Sequence, residues 1–314
     1  MTGAVRSAGE WWFAPVPRGR AALLRALLYA FVAVDVAFLS AYGNARHGVL
    51  PAELYRPLLM GRLLPLPTPT PTVVSAVKVL VIASVAAALL TRWHRLAGVA
   101  AFAFYLEWLV IYFSYGKVGH DRFALLVALA ALPVAPRARW SDETPDEMAG
   151  WSVRCVQVAV VLTYFLAAYA KLRFGGIDWV NGATLMRAVV RRGTFLAAPL
   201  LDQPGLLRVA QYGIVAFEVA SPLMLAPGYV GRIFVVAAAL FQVVVYATIR
   251  LTFLPHVVCL LAFVPLEDLA GRGRLLLGRR RVPREHRTRV GGIPRTVGAA
   301  LVNRTPAGGD EDEP

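Results

Sequence analysis

Long apolar blocks alternate along this chain with short polar stretches that carry proline or arginine. The blocks fall at roughly 21–42, 73–90, 96–115, 121–135, 153–172, 205–226, 229–249 and 252–266. About 20 apolar residues cross the hydrocarbon core of a bilayer, so the pattern predicts about eight helical spans. The fourth and eighth blocks are short. The fold class expected is all-α, a polytopic integral membrane helix bundle. A basic lead at 1–20 precedes the transmembrane domain at 21–266. A tail at 267–314 follows, with "GRGRLLLGRRRVPREHR" and an acidic end, "GGDEDEP". Its low hydrophobicity and high charge predict disorder.

The connectors add sidedness. An even number of spans puts both termini on one face. The N-terminal arginines, "TRWHR" at 91–95 and "GRR" at 278–280 share that face, which the positive-inside rule makes cytoplasmic. The expected location is the cell membrane. "LPLPTPTPT", in the first outer loop, reads as an extended connector, because proline fixes φ and lacks a donor. The outer segment after Lys171 is basic, with Arg173, Arg187, Arg191, Arg192 and Arg208. Two readings fit it: an interfacial helix at 183–192 whose arginines reach headgroups, or a lid with an anion-attracting rim over a site.

Composition agrees with the membrane reading. Of 314 residues, 58% are hydrophobic and 17% charged, and the mean hydropathy is +0.58. The net charge of +14 is assigned to loops and tail, with no nucleic acid as partner. The partner is the lipid bilayer. Cys155 and Cys259 lie within apolar blocks and read as small hydrophobes. No metal-ligand pattern is present. A P-loop, a nucleophile elbow and a dinucleotide-binding glycine motif have no usable context, which argues against ATP-driven and hydrolase chemistry.

Polar residues inside apolar blocks are the candidates for chemistry, because charge in hydrocarbon is costly. They are Asp35, Glu107, Gln157, Lys171, Gln211, Glu218, Gln242, Arg250 and His256. Gln157, Tyr164 and Lys171 are spaced by seven residues, about 700° of helical rotation, so they share nearly one face. Ala167 and Ala168 leave space along it. Gln211 and Glu218 repeat the spacing in the sixth block, and Pro222 frees the Glu218 carbonyl. Against a site stands the plainer reading, in which Lys171 snorkels and the acids join helices. The aromatics of the third block fit either an interfacial belt or a flat cavity for a ring. His120, in "SYGKVGHDRF", is either a solvated loop histidine or a proton handler.

"YFLAAYAKL", followed after a short stretch by "DWVNG", resembles the signature of the membrane domain of vitamin K-dependent γ-carboxylases, shared by the horizontally transferred transmembrane (HTTM) family. "FEVASPLML", with Glu218 and Pro222, resembles a second feature of that family. The resemblance spans roughly residues 20–266. It implies a reduced quinone as cofactor, menaquinol or vitamin K hydroquinone, and oxygen-dependent carboxylase-like chemistry. Lys171 matches the family's catalytic lysine, which deprotonates the hydroquinone. The candidate site is then Lys171 and His120 for proton transfer, with Tyr164, Glu218, Trp179 and Glu107 around the cofactor. A separate protein would bring the substrate. The alternative is a non-enzymatic membrane component on the same scaffold: a transporter, a toxin-maturation factor or a redox-complex subunit. No inverted repeat supports the transporter.

Overall fold

The computed structural model describes residues 8–116 and 118–268. The tail expected from 267 therefore falls, beyond Asp268, outside the described residues. After a single turn, α1 (Ala8–Trp12), strand β1 (Val16–Pro17) pairs antiparallel with β2 (Pro145–Asp146). The rest is helical. α2 (Arg18–Val34) runs on through a π-helical turn, Asp35–Leu39. Two short helices, α3 (Ala41–His47) and α4 (Leu59–Leu63), sit in the first long connector. Its remaining prolines are non-helical up to Thr70, whose hydroxyl accepts from Val73 N at 3.2 Å and caps α5 (Pro71–Leu90) with proline in the first turn. α6 (His94–Phe113), α7 (Phe123–Ala131) and α8 (Glu147–Gly175) follow. α9 (Ala183–Arg192) is the helix expected at 183–192, and α10 (Pro204–Val219), α11 (Tyr229–Ile249) and α12 (Leu254–Cys259) complete the order.

Contacts between connectors sort them onto two ends of the bundle. At one end Arg18 pairs with Asp146, Arg20 with Glu267, and Arg137 donates to the Thr91 carbonyl at 3.3 Å. At the other end His47 stacks on Tyr115 with centroids 4.5 Å apart, and Arg56 N donates to Ser114 O at 3.0 Å. There too His120 lies against Phe253, and Thr194 N donates to Thr248 O at 2.9 Å. The first and last described segments meet at one end.

The helices in the apolar blocks differ in length, as the short fourth and eighth blocks lead one to expect, and the sixth is shorter than its block. Among the described residues, five helical segments have the length and apolarity to cross a membrane: 18–39, 71–90, 94–113, 147–175 and 229–249. The other three are shorter, and proline is the reason. Pro133 and Pro222 each fall in a 3-10 turn that ends a helix early, and Pro255 opens the short α12. α10, at 16 residues, spans about 24 Å, less than the hydrocarbon core. α8 is longer than expected. Asp146 caps its start by accepting from Ala149 N at 2.9 Å, and Gly176, at φ +62°, ends it in a conformation that favours glycine.

The core is built from the inward faces of these helices, with Leu24, Tyr29, Val81, Tyr105, Trp108, Leu125 and Val156 buried. The outward faces are also apolar. α11 exposes Ile233, Val236, Leu240, Val243 and Val244 along its length. So extended an apolar surface has lipid as its solvent. The fold is an all-α membrane helix bundle.

One polar knot holds the first helix to its neighbours. Asp35, fully buried at the π turn, accepts from Tyr105 Oη at 2.9 Å and from Arg122 through two nitrogens at 2.7 and 3.2 Å. Ser40 accepts from Trp108 Nε1 at 2.8 Å, and Asn44 donates to the Trp108 carbonyl at 3.0 Å. Charge at this depth is tolerable because both carboxylate oxygens meet donors and Arg122 supplies the counter-charge.

Candidate functional site

A cavity of about 340 Å³ opens near the end of the bundle that holds His47, Tyr115 and Phe253. Its walls come from α8, α9, α10, α11 and α12 and from the turn that carries His120 and Asp121. Most of the lining is apolar. Ala167, the small residue on the Lys171 face of α8, is where the space is left.

The sevenfold spacing on α8 sends Tyr164 and Lys171 into this cavity. Helical side chains lean toward the N-terminus, so Lys171, near the end of α8, reaches back into the bundle. There its ammonium donates to both carboxylate oxygens of Glu218 on α10, at 2.6 Å to Oε2. The lysine side chain keeps 23% of its surface exposed, the glutamate 6%. Gln211, one stripe position earlier on α10, is fully buried and donates to the Trp179 carbonyl.

The "DWVNG" stretch has a structural role in this arrangement. Gly176 at φ +62° releases the chain into a 3-10 turn, Ile177–Val180, and Gly182 at φ +95° starts α9, with Asn181 Oδ1 accepting from Ala183 N. The turn folds the Trp179 ring back over Lys171, whose Nζ lies 5.3 Å from the ring centroid, in cation–π reach. The ammonium is thus held between a carboxylate and an aromatic face.

Opposite stand groups with unused hydrogen-bonding capacity. Gln242 donates to Tyr164 Oη at 2.8 Å, but its Oε1 is buried with no partner. Gln211 Oε1 is in the same state, and so are both nitrogens of His256. The His256 ring meets Tyr164 edge to face at 4.6 Å between centroids. All these residues line the cavity. An unpaired buried polar atom is costly, and such groups are commonly satisfied by water or ligand.

Of the residues that sequence reasoning named, Lys171, His120, Tyr164, Trp179 and Glu218 are brought together around this one cavity, with His120 exposed at its mouth. Glu107 is not. It is half-buried on α6 and does not line the cavity, because the inward face of α6 presents Tyr105 and Trp108 instead. Gln157 also leaves the stripe, since its amide donates to the Ala262 carbonyl at 2.9 Å and ties α8 to the far end of the bundle. Asp35 belongs to the separate knot described above. Sequence reasoning did not assign Gln242, His256 and Asp121 to the site. The first two carried a signal, a lone polar residue in an apolar block; Asp121, at the boundary of the fourth block, carried none.

In comparisons with known proteins, no family model matches this chain, and no curated protein or solved structure matches it either.

Proposed function

We propose that the chain is a membrane enzyme of quinol chemistry that takes a hydroxylated aromatic ring, a reduced quinone such as menaquinol or vitamin K hydroquinone, into this cavity, where Lys171 removes a hydroxyl proton. The observation that carries the reading is the Lys171–Glu218 pair, set in the wall of a cavity lined mostly by apolar and aromatic side chains. The residues present suit such a ring. Aromatic and aliphatic walls accept its faces, and the unpaired atoms of Gln211, Gln242 and His256 supply partners for its oxygens. When bound, the reduced ring supplies the electrons for the oxygen-dependent chemistry that the motif resemblance implies.

A ring that expels water raises the cost of keeping Lys171 and Glu218 both as ions. With the proton on Glu218, Lys171 Nζ is a neutral amine and accepts the hydroxyl proton of the ring. Trp179 orients the amine, Tyr164 and Gln242 fix the opposite wall, and His120 at the mouth relays protons to water. The site opens to the outer side of a cell membrane, with both termini cytoplasmic and a separate protein presenting the substrate; the arginine distribution of the loops supports that orientation. Organic extraction of protein purified in mild detergent, followed by mass spectrometry, tests the reading. A stoichiometric quinone supports it, and a protein that neither retains nor binds any quinone defeats it.

One feature favours the second reading, a non-enzymatic transporter, toxin-maturation factor or redox-complex subunit. The ammonium and the carboxylate satisfy each other in a two-pronged contact that clamps α8 to α10 without any ligand. On that reading a charge-swapped pair, Lys171→Glu with Glu218→Lys, keeps full biological activity; on the enzyme reading it is folded and inactive.

A further inference from the structure

The outer wall of the cavity is formed by α9, and α9 packs apart from the main core. It turns Leu185 and Ala188 toward the cavity and buries Val189 against Ala197, Leu207 and Ile249, a cluster separate from the one that fills the bundle. Its remaining face is uncovered. Arg187 and Arg191 stand one turn apart there with Val190 between them, and Arg192 is exposed at the helix end. The helix, ATLMRAVVRR, contains no acidic residue, and among the described residues none of its three arginines forms an ion pair. Apolar side chains beside these cations are also uncovered: Val190, 68% exposed, and Phe195, three residues past the end of the helix, 83% exposed.

Cations beside an uncovered valine and phenylalanine fit neither bulk water nor a dry protein interface. A phospholipid surface meets both demands. The apolar side chains enter the acyl boundary, and the guanidinium forks meet phosphate oxygens. We infer that α9 docks through this face on the headgroups of anionic phospholipids. The inference concerns the outer face of α9 and stands whatever the cavity binds.

The test uses the full chain in nanodiscs, with Cys155→Ala and Cys259→Ala and a spin label on Val190→Cys. Label depth is read from collision rates with oxygen and with a water-soluble nickel chelate. The expected result is a deeper label when phosphatidylglycerol is mixed into phosphatidylcholine discs. The phosphatidylglycerol fraction at half-maximal shift should rise about fivefold per arginine replaced by glutamine. R187Q/R191Q/R192Q should lose the response, and the matching triple lysine variant should keep it, which separates charge from misfolding. A label depth equal in both lipids would overturn the inference. So would a response that survives the triple glutamine variant, or one that inorganic phosphate or a soluble acidic peptide reproduces in phosphatidylcholine alone.

Discussion

Lys171 donates through its ammonium to both carboxylate oxygens of Glu218, a residue 47 positions further along the chain and on a different helix. The contact gives each charge its counter-ion, so removing one partner strands the other. Lys171→Met leaves the nearly buried Glu218 carboxylate alone. It should cost about 3 kcal/mol, the lower end of the range for a broken buried pair, because Lys171 keeps some solvent contact. The double variant Lys171→Met/Glu218→Leu should be more stable than either single one. Unfolding in mixed micelles reads the four stabilities. Additive single effects would mean that the two groups do not act as a pair.

The knot around Asp35 predicts a different outcome. Asp35→Asn keeps the shape but removes the charge that faces Arg122, which then retains only Asp121, at 3.2 Å. The expected loss is about 3 kcal/mol of unfolding stability. Quinone affinity of the folded protein should stay as in the wild type, since Asp35 does not line the cavity. Affinity measured alongside unfolding would expose a direct role for Asp35 if binding fell while stability held.

The two ends of the described chain meet through Arg20 and Glu267, and this pair responds to acid. Burial alone would raise the Glu267 carboxyl, but the hydrogen bond and charge of Arg20 outweigh burial and hold it below the usual 4.5. With the folded value depressed, the unfolded state binds more protons on acidification. The stabilisation is therefore complete above about pH 4.5 and fades as pH falls through the folded value. Glu267→Gln should melt below the wild type at about pH 7, and the gap should close toward about pH 3. A gap that stays constant over that window would remove Glu267 from the acid response.

How much of this was legible in the sequence follows from what each residue depends on. Periodicity is local, so the apolar blocks, the helix at 183–192 and the shared face of Tyr164 and Lys171 could be read directly. Lys171 and Glu218 could both be named for one site because each closes a sevenfold stripe, but their direct pairing could not be read. Facing directions between helices are not local. Glu107 sits in an apolar block like Glu218, yet the rotation of α6 turns Tyr105 and Trp108 inward and leaves Glu107 outside the cavity. Arg122 read as part of a polar loop, and only its return to Asp35, 87 residues earlier in the chain, shows it to be a buried counter-ion. The shortness of α10 was hidden for another reason. Hydropathy carries through Pro222, whereas the backbone hydrogen-bond ladder does not.

The central claim is that Lys171 takes a proton from a hydroxylated ring in the cavity, and ultraviolet difference spectroscopy tests it most directly. A naphthohydroquinone would be titrated anaerobically into wild-type protein in nanodiscs, because loss of a ring hydroxyl proton shifts its absorption to longer wavelength. The account predicts a saturable red shift in the wild type. It predicts binding without the shift in Lys171→Ala and in Lys171→Arg, since a guanidinium stays protonated and cannot serve as the base. A red shift of full size in Lys171→Ala, or no binding of the ring by the wild type, would contradict it.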